Sequence, residues 1–199
     1  MAPHAALAEI GVDYELALVE ESPSGAYLAL NPWGRVPTLE DGPLVLTESA
    51  AIMLHLADRH PEAGLAPAVG SPERSELYRW LIYLTNTVQP TFLHWFYPER
   101  YTADDGGHEG VKAVAADALH AHLDSLDAQL ADRPWLVGNE RSAADLYLFM
   151  LTRWGRNLGP AAWDRPHLRD HWTRLAERPG VRRMLEEQGL EPPAFASLS

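Results

Sequence analysis

The segment Asn31-Pro-Trp-Gly-Arg-Val-Pro-Thr-Leu-Glu-Asp-Gly-Pro-Leu-Val-Leu-Thr-Glu-Ser-Ala-Ala-Ile52 reads as a hairpin running into a helix. Two short apolar-rich runs, residues 36–40 and 43–46, flank Asp41-Gly42, a strong turn signal between strands. Residues 48–59 then carry Ile52, Met53 and Leu56 at helical spacing. Two features here bear on chemistry. The Val36–Pro37 bond at the strand start is either a cis peptide, which turns the Val36 N–H and C=O outward to pair with an extended peptide, or a trans proline opening an edge strand. Glu48 and Ser49 begin the helix. They are either ordinary caps or a seat for an α-amino-acid head group. In the second reading the free N–H groups and positive dipole end attract a carboxylate, Ser49 adds a hydroxyl, and Glu48 accepts an ammonium.

On the N-terminal side, residues 3–10 predict a helix, with Pro3 in its first turn and Gly11 as its stop. Residues 14–19 alternate as a strand does, and residues 24–30 predict a short helix. On the C-terminal side, residues 60–72 are rich in Pro and Gly and read as a linker. Residues beyond it are helical in pattern: Leu77, Trp80, Leu81, Leu84 and Val88 share one face, with Pro90 set to kink or end that helix. Val111, Val114, Ala118, Leu119, Leu126 and Leu130 share another. Ser142-Ala-Ala-Asp145 leads into an apolar run through Leu151, which predicts a central buried helix. Two shorter helices, near residues 165–176 and 180–187, complete the pattern. The expected domains are therefore residues 1–61, mixed α/β, and residues 72–199, all-α.

The 199 residues carry a formal net charge of −12 and no cysteine. The negative balance argues against a nucleic-acid partner, which needs a basic footprint. Without cysteine there is no disulfide, no zinc–thiolate site and no CxxC redox pair, so any thiol chemistry comes from a ligand. No apolar run approaches the ~20 residues of a membrane span, and no signal peptide is evident, which fits a cytoplasmic home. His167 and His171 stand at i, i+4, but with no HExxH and no third ligand they predict no metal site.

Taken together, the Val-Pro strand start, the hairpin and Thr47-Glu-Ser-Ala-Ala-Ile52 resemble the thioredoxin-like half of cytosolic glutathione transferases. Gly138-Asn-Glu-Arg-Ser-Ala-Ala-Asp145 resembles the capping-box segment of their all-helical half. Ala2-Pro-His-Ala-Ala-Leu-Ala-Glu-Ile-Gly11 resembles their first helix, most closely in bacterial Beta-type members. The resemblance implies the following. Glutathione is the co-substrate, conjugated to a small electrophile, and the chain forms a homodimer. Val36 holds the cysteinyl backbone, Pro37 is the cis proline, and Glu48 and Ser49 bind the γ-glutamyl end. Arg35 and Trp33 touch the glycyl end or the rim. His94, Tyr97, Arg100 and Tyr101 line the pocket of the second, apolar substrate. Ser142 and Asp145 are a folding element, with Arg141 standing where an apolar staple residue is usual.

The sequence departs from that family in two places. The family begins with a strand and a turn bearing a catalytic Tyr, Ser or Cys, whereas Met1 here already stands at the first helix, so the catalytic residue is unknown. That strand normally lies between residues 14–19 and the strand starting at Val36, and removing it leaves a gap of roughly 10 Å. Either Met1 is internal, with about a dozen residues of strand and turn upstream, or the chain is truly shortened. The undamaged core pattern favours the first. Gln89-Pro90 also stands where Beta-type members often carry His-Lys. The alternative to an enzyme is a non-catalytic glutathione-transferase-like binding or dimerisation module.

Overall fold

The computed structural model describes residues 1–19 and 25–193. Helix α1 spans Ala2–Ile10, and Gly11 caps it at φ 81°, donating its N–H to the Leu7 carbonyl. This is the left-handed stop that glycine makes without steric cost. A short helix, α2, spans Gly25–Leu30; Ser24, expected within it, lies outside the described residues. Strands β1 (Thr38–Asp41) and β2 (Leu44–Thr47) pair antiparallel, Thr38 opposite Thr47 and Asp41 opposite Leu44. The turn is thus Gly42-Pro43, one residue later than Asp41-Gly42 suggests. Gly42 takes φ 60°, the first central position of a type II′ turn, and the fixed negative φ of proline suits the second. Asp41 instead ends β1 and accepts from His55 Nε2 at 2.9 Å and Arg59 Nη1 at 2.6 Å. Both donors lie on α3 (Ser49–Arg59), so these contacts tie the hairpin to that helix.

The expected strand at residues 14–19 is not formed: among the described residues the sheet has only β1 and β2. A strand persists through its ladder, and the described residues offer this segment none. Leu18 is 91% exposed. Tyr14 turns to the helical domain, its hydroxyl donating to Glu187 Oε2 at 2.5 Å.

The rest is helical: α4 (Pro72–Tyr83), α5 (Gln89–Phe96), α6 (His108–Gln129), α7 (Ala143–Trp154), α8 (Pro166–Ala176) and α9 (Pro179–Glu187). Ser71 caps α4, accepting from Arg74 N at 3.1 Å. Pro90 does not end its helix. A π turn at Leu84–Val88 joins α4 to α5, with the Gln89 N–H reaching back to the Leu84 carbonyl. Proline has no N–H to donate and its ring clashes with the carbonyl four residues back. The wider turn just before it relieves that clash and lets the chain run on.

Helix α7 is the centre, every residue from Ala143 to Thr152 being buried. Phe149 stacks on Trp172 with centroids 4.8 Å apart. The expected apolar faces are mostly inward, but on α6 Val111 and Ala118 are only half-buried, Val114 is 72% exposed and Ala115 takes the buried position. The linker is also more than a spacer, for Leu65 is fully buried and its carbonyl accepts from Ala143 N at 2.8 Å.

The two halves are joined by close packing and charge. Helix α1 buries mostly alanine, and α9 meets it at Gly180, where a Cβ would lie 2.6 Å from the Ala8 carbonyl oxygen. Arg141, in place of an apolar staple, donates from Nε to Glu9 Oε2 at 2.7 Å and from Nη2 to the Ala63 carbonyl at 3.2 Å. Arg178 Nε reaches the same carboxylate, whose side chain is 2% exposed. Among the described residues, no helix is long and apolar enough to cross a membrane.

Candidate functional site

The start of α3 is unusual in its backbone. Glu48 sits at φ 68°, ψ 115°, the one non-glycine among the described residues with positive φ. Such a conformation costs ~1–3 kcal/mol and persists where the surroundings impose it. It swings the chain out of β2 so that α3 begins at once. Its carbonyl takes the first helical bond from Ile52 N at 3.0 Å, leaving the N–H groups of the first turn without intrahelical acceptors.

Facing that helix end is the loop that leads into β1. The Val36–Pro37 peptide is cis. Val36 is 67% exposed, and the β1–β2 ladder starts only at Thr38, beyond it. The loop is held from beneath by Asn31, 2% exposed, which donates from Nδ2 to the Arg35 carbonyl and accepts from Trp33 N at 3.1 Å. The Tyr27 hydroxyl donates to the same Arg35 carbonyl at 2.6 Å. Sequence reasoning did not single out Asn31 or Tyr27. The turn-initiating Asn31-Pro32 pair was the available signal.

The opposite wall belongs to the helical half. The π turn and α5 contribute Thr85, Asn86, Gln89, Pro90 and Leu93, and α7 contributes Tyr147. Together these walls enclose a cavity of about 550 Å³. Arg35, Val36, Pro37, Glu48 and Ser49 all line it, as does Trp33 at the rim, 79% exposed. Among the described residues, Arg35 and Glu48 are its only charged lining groups. Tyr147 is 1% exposed, and its hydroxyl donates to Gln89 Oε1. Burial pushes its pKa above the usual tyrosine range, and the Glu48 carboxylate adds to this, partly offset by a hydrogen bond with Ser49. The phenol therefore stays a neutral donor at physiological pH.

His94, Tyr97, Arg100 and Tyr101 do not line this cavity. At 3.6 residues per turn, Asn86, Gln89 and Leu93 share a face, while His94 lies ~100° round from Leu93. The four form two side-chain pairs outside the cavity, His94 edge-on to Tyr101 with centroids 3.9 Å apart and Arg100 over the Tyr97 ring at 4.0 Å. His171 is buried against Asp145, Nε2 to Oδ1 at 3.0 Å, in the packing of α8 on α7. Among the described residues no three His, Cys, Asp or Glu side chains group as metal ligands do.

The chain matches two family models, "Glutathione S-transferase, N-terminal domain" over residues 1–58 and "Glutathione S-transferase, C-terminal domain" over residues 88–179. A glutathione S-transferase of Xanthomonas campestris pv. campestris, GST-4.5, is 31% identical over 192 residues, covering 96% of this chain and 94% of the relative. Among solved structures, a sphingomonad glutathione S-transferase complexed with glutathione is 36% identical with TM-score 0.84, covering 96% of this chain and 94% of that one. A bacterial beta class enzyme of Sphingomonas chungbukensis is 35% identical, again with TM-score 0.84, covering 96% and 94%. With the hairpin, the helix start and the capping segment all in the family's order, and with relatives matched along nearly their whole length, this chain belongs to the glutathione S-transferase family.

Proposed function

We propose that the cavity binds glutathione and that the protein conjugates the thiolate of glutathione to a small electrophile, acting as a cytoplasmic homodimer. The observation that carries this reading is the convergence of two unlike recognition elements on one cavity. The Val36 main chain, exposed beside the cis Pro37, offers an N–H and a C=O to the cysteinyl backbone as an added strand would. The start of α3 offers Ser49 and free N–H groups to the γ-glutamyl carboxylate, with Glu48 for its ammonium. Among the described lining residues, Arg35 is the cation for the glycyl carboxylate. Arg35 and the start of α3 thus answer the two carboxylates of the tripeptide, and Glu48 answers its ammonium.

The role of these residues is recognition and orientation. Binding glutathione as the thiolate matters because a free thiol near pKa ~8.5 is only a few per cent ionised at neutral pH.

Titration calorimetry with reduced glutathione tests the binding, and turnover with 1-chloro-2,4-dinitrobenzene tests the reaction. Ser49→Ala is expected to weaken glutathione by about ten-fold, as loss of a hydrogen bond to a charged group does. Binding without turnover would reduce the protein to a non-catalytic glutathione-binding module. Absence of binding would overturn the proposal.

A further inference from the structure

A second cavity, of about 310 Å³, shares no lining residue with the first. One wall is the chain that follows α6, residues 130–134. The other is α8, through His167, Asp170, His171 and Arg174. These stand at i, i+3, i+4 and i+7, one face of the helix. His171 sets what the cavity accepts. Its side chain is fully buried, with Nε2 3.0 Å from Asp145 Oδ1. The Asp145 carboxylate only accepts, so Nε2 carries the proton, and in the uncharged ring Nδ1 is a bare acceptor. Nδ1 is buried and has no hydrogen-bond partner among the described residues, and an unmade buried acceptor is costly. The two nitrogens of an imidazole point away from each other. With Nε2 given to α7, Nδ1 faces away from that helix, and His171 is also part of the cavity wall. The charged lining groups are Asp132, Arg133, Asp170 and Arg174. None of the four makes an ion pair among the described residues. Arg174 donates from Nη1 to the Pro134 carbonyl at 3.0 Å and lies over the Trp135 ring at 5.3 Å, so its guanidinium is held in place with further N–H groups to give.

We propose that this cavity binds a free α-amino acid, its ammonium donating to His171 Nδ1 and Asp170 and its carboxylate accepting from Arg174. The proposal is independent of the glutathione site. Three observations select this chemistry. A bare Nδ1 calls for a donor, which an anion alone does not supply, and among the described residues no three side chains group as metal ligands. An ammonium brings three donors and no acceptor, so it satisfies Nδ1 and a neighbouring carboxylate together. The charged lining groups are two Arg and two Asp, a balance complementary to a zwitterion rather than to a lone cation or anion. The space is that of about ten waters at ~30 Å³ each, the scale of a single amino acid rather than a peptide.

The test follows the imidazole nitrogens of the whole chain, labelled with ¹⁵N-histidine, by NMR while each proteinogenic amino acid is added up to ~10 mM. At least one is expected to bind with a dissociation constant at or below ~1 mM. On binding, the His171 Nδ1 signal should move from that of a bare nitrogen towards that of a hydrogen-bonded one, with the proton staying on Nε2. Calorimetry with that amino acid then compares variants and analogues. D170N and R174Q change exposed positions, so the fold is kept, and each is expected to weaken binding by about five-fold or more. The same amino acid with its amine acetylated, or its carboxyl amidated, should lose at least as much. The proposal is overturned if no amino acid moves the Nδ1 signal, or if the free protein carries its proton on Nδ1. It is also overturned if D170N and R174Q bind as wild type does, or if the acetylated analogue binds as well as its parent, which would make the cavity an anion site.

Discussion

Replacing Asp145 by Ala is expected to destabilise the fold more than any change at the cavity. The carboxylate is fully buried and accepts four hydrogen bonds. Leu136 N at 2.8 Å and His171 Nε2 at 3.0 Å reach Oδ1, while Ser142 N and Ser142 Oγ, each at 2.8 Å, reach Oδ2. One side chain thus fixes the start of α7, the chain at Leu136 and the face of α8. Alanine leaves the Leu136 and Ser142 N–H groups and the His171 ring facing the space the carboxylate filled. Four bonds to a charged acceptor, at ~1.5–3 kcal/mol each, would sum to ~6–12 kcal/mol. Relaxation and entry of water reduce this towards the ~3–5 kcal/mol measured when one partner of a buried charged network is removed. The loss is a large part of a typical total of ~5–15 kcal/mol. For a chain of this size, ~1 kcal/mol moves the midpoint by about 2–4 °C, so a drop of roughly 6–20 °C is expected.

Asp145→Asn separates shape from charge. Its carbonyl can keep the two Oδ1 partners, and the Ser142 hydroxyl can turn to accept from the amide. The Ser142 N–H cannot turn, and it then faces another donor. An intermediate loss is expected, with Ser142→Ala smallest at ~0.5–2 kcal/mol, the usual worth of a cap. Thermal and urea unfolding followed by circular dichroism measure all three. A D145A loss below ~1 kcal/mol with an unchanged m-value, or D145N below S142A, would refute the reasoning.

Other expectations follow from the contacts between the halves. Gly180→Ala should lower the thermal midpoint markedly, because the added methyl meets the α1 backbone, Ala8 O at 2.6 Å and Glu9 N at 2.7 Å, rather than a flexible side chain; a midpoint within 1–2 °C of wild type would mean that α9 can shift without cost. Glu187 is held down to about 2 by hydrogen bonds from Tyr14, Arg183 and His4, with the Arg183 charge helping. A depressed carboxyl stabilises the fold fully above its ordinary value of 4.5, and that contribution is lost as the pH falls from there through about 2. Protection of the α9 amides, with exchange referred to the intrinsic rate at each pH, should therefore fall over that acid range in wild type and not in Glu187→Gln; equal profiles would remove Glu187 from the clasp.

How much of this was legible beforehand depended on whether the determinant is local. Helix starts and stops at Pro3, Gly11, Pro72 and Ser142, and the apolar faces around Leu77, Leu119 and Leu148, are written in spacings of three and four residues, and the structure follows them. The cavity residues Val36, Pro37, Glu48 and Ser49 were visible because a strand start and a helix start each carry their own motif. Residues 14–19 show the limit. Alternation reports which side chains prefer one face, but a strand is made by its neighbour, and the described residues supply no neighbour there. His94, Tyr97, Arg100 and Tyr101 were placed in the second-substrate pocket by resemblance; they do not line the cavity of Val36 and Ser49, because which side chains share a wall is set by helical phase, which the π turn at Leu84–Val88 shifts just upstream of them. That same turn puts Gln89 opposite Ser49's helix and within reach of Tyr147, 58 positions further on. No local pattern announces such a pair. Pro90 is what makes the turn necessary and Gln89 follows directly on it, so the two residues have to be read together.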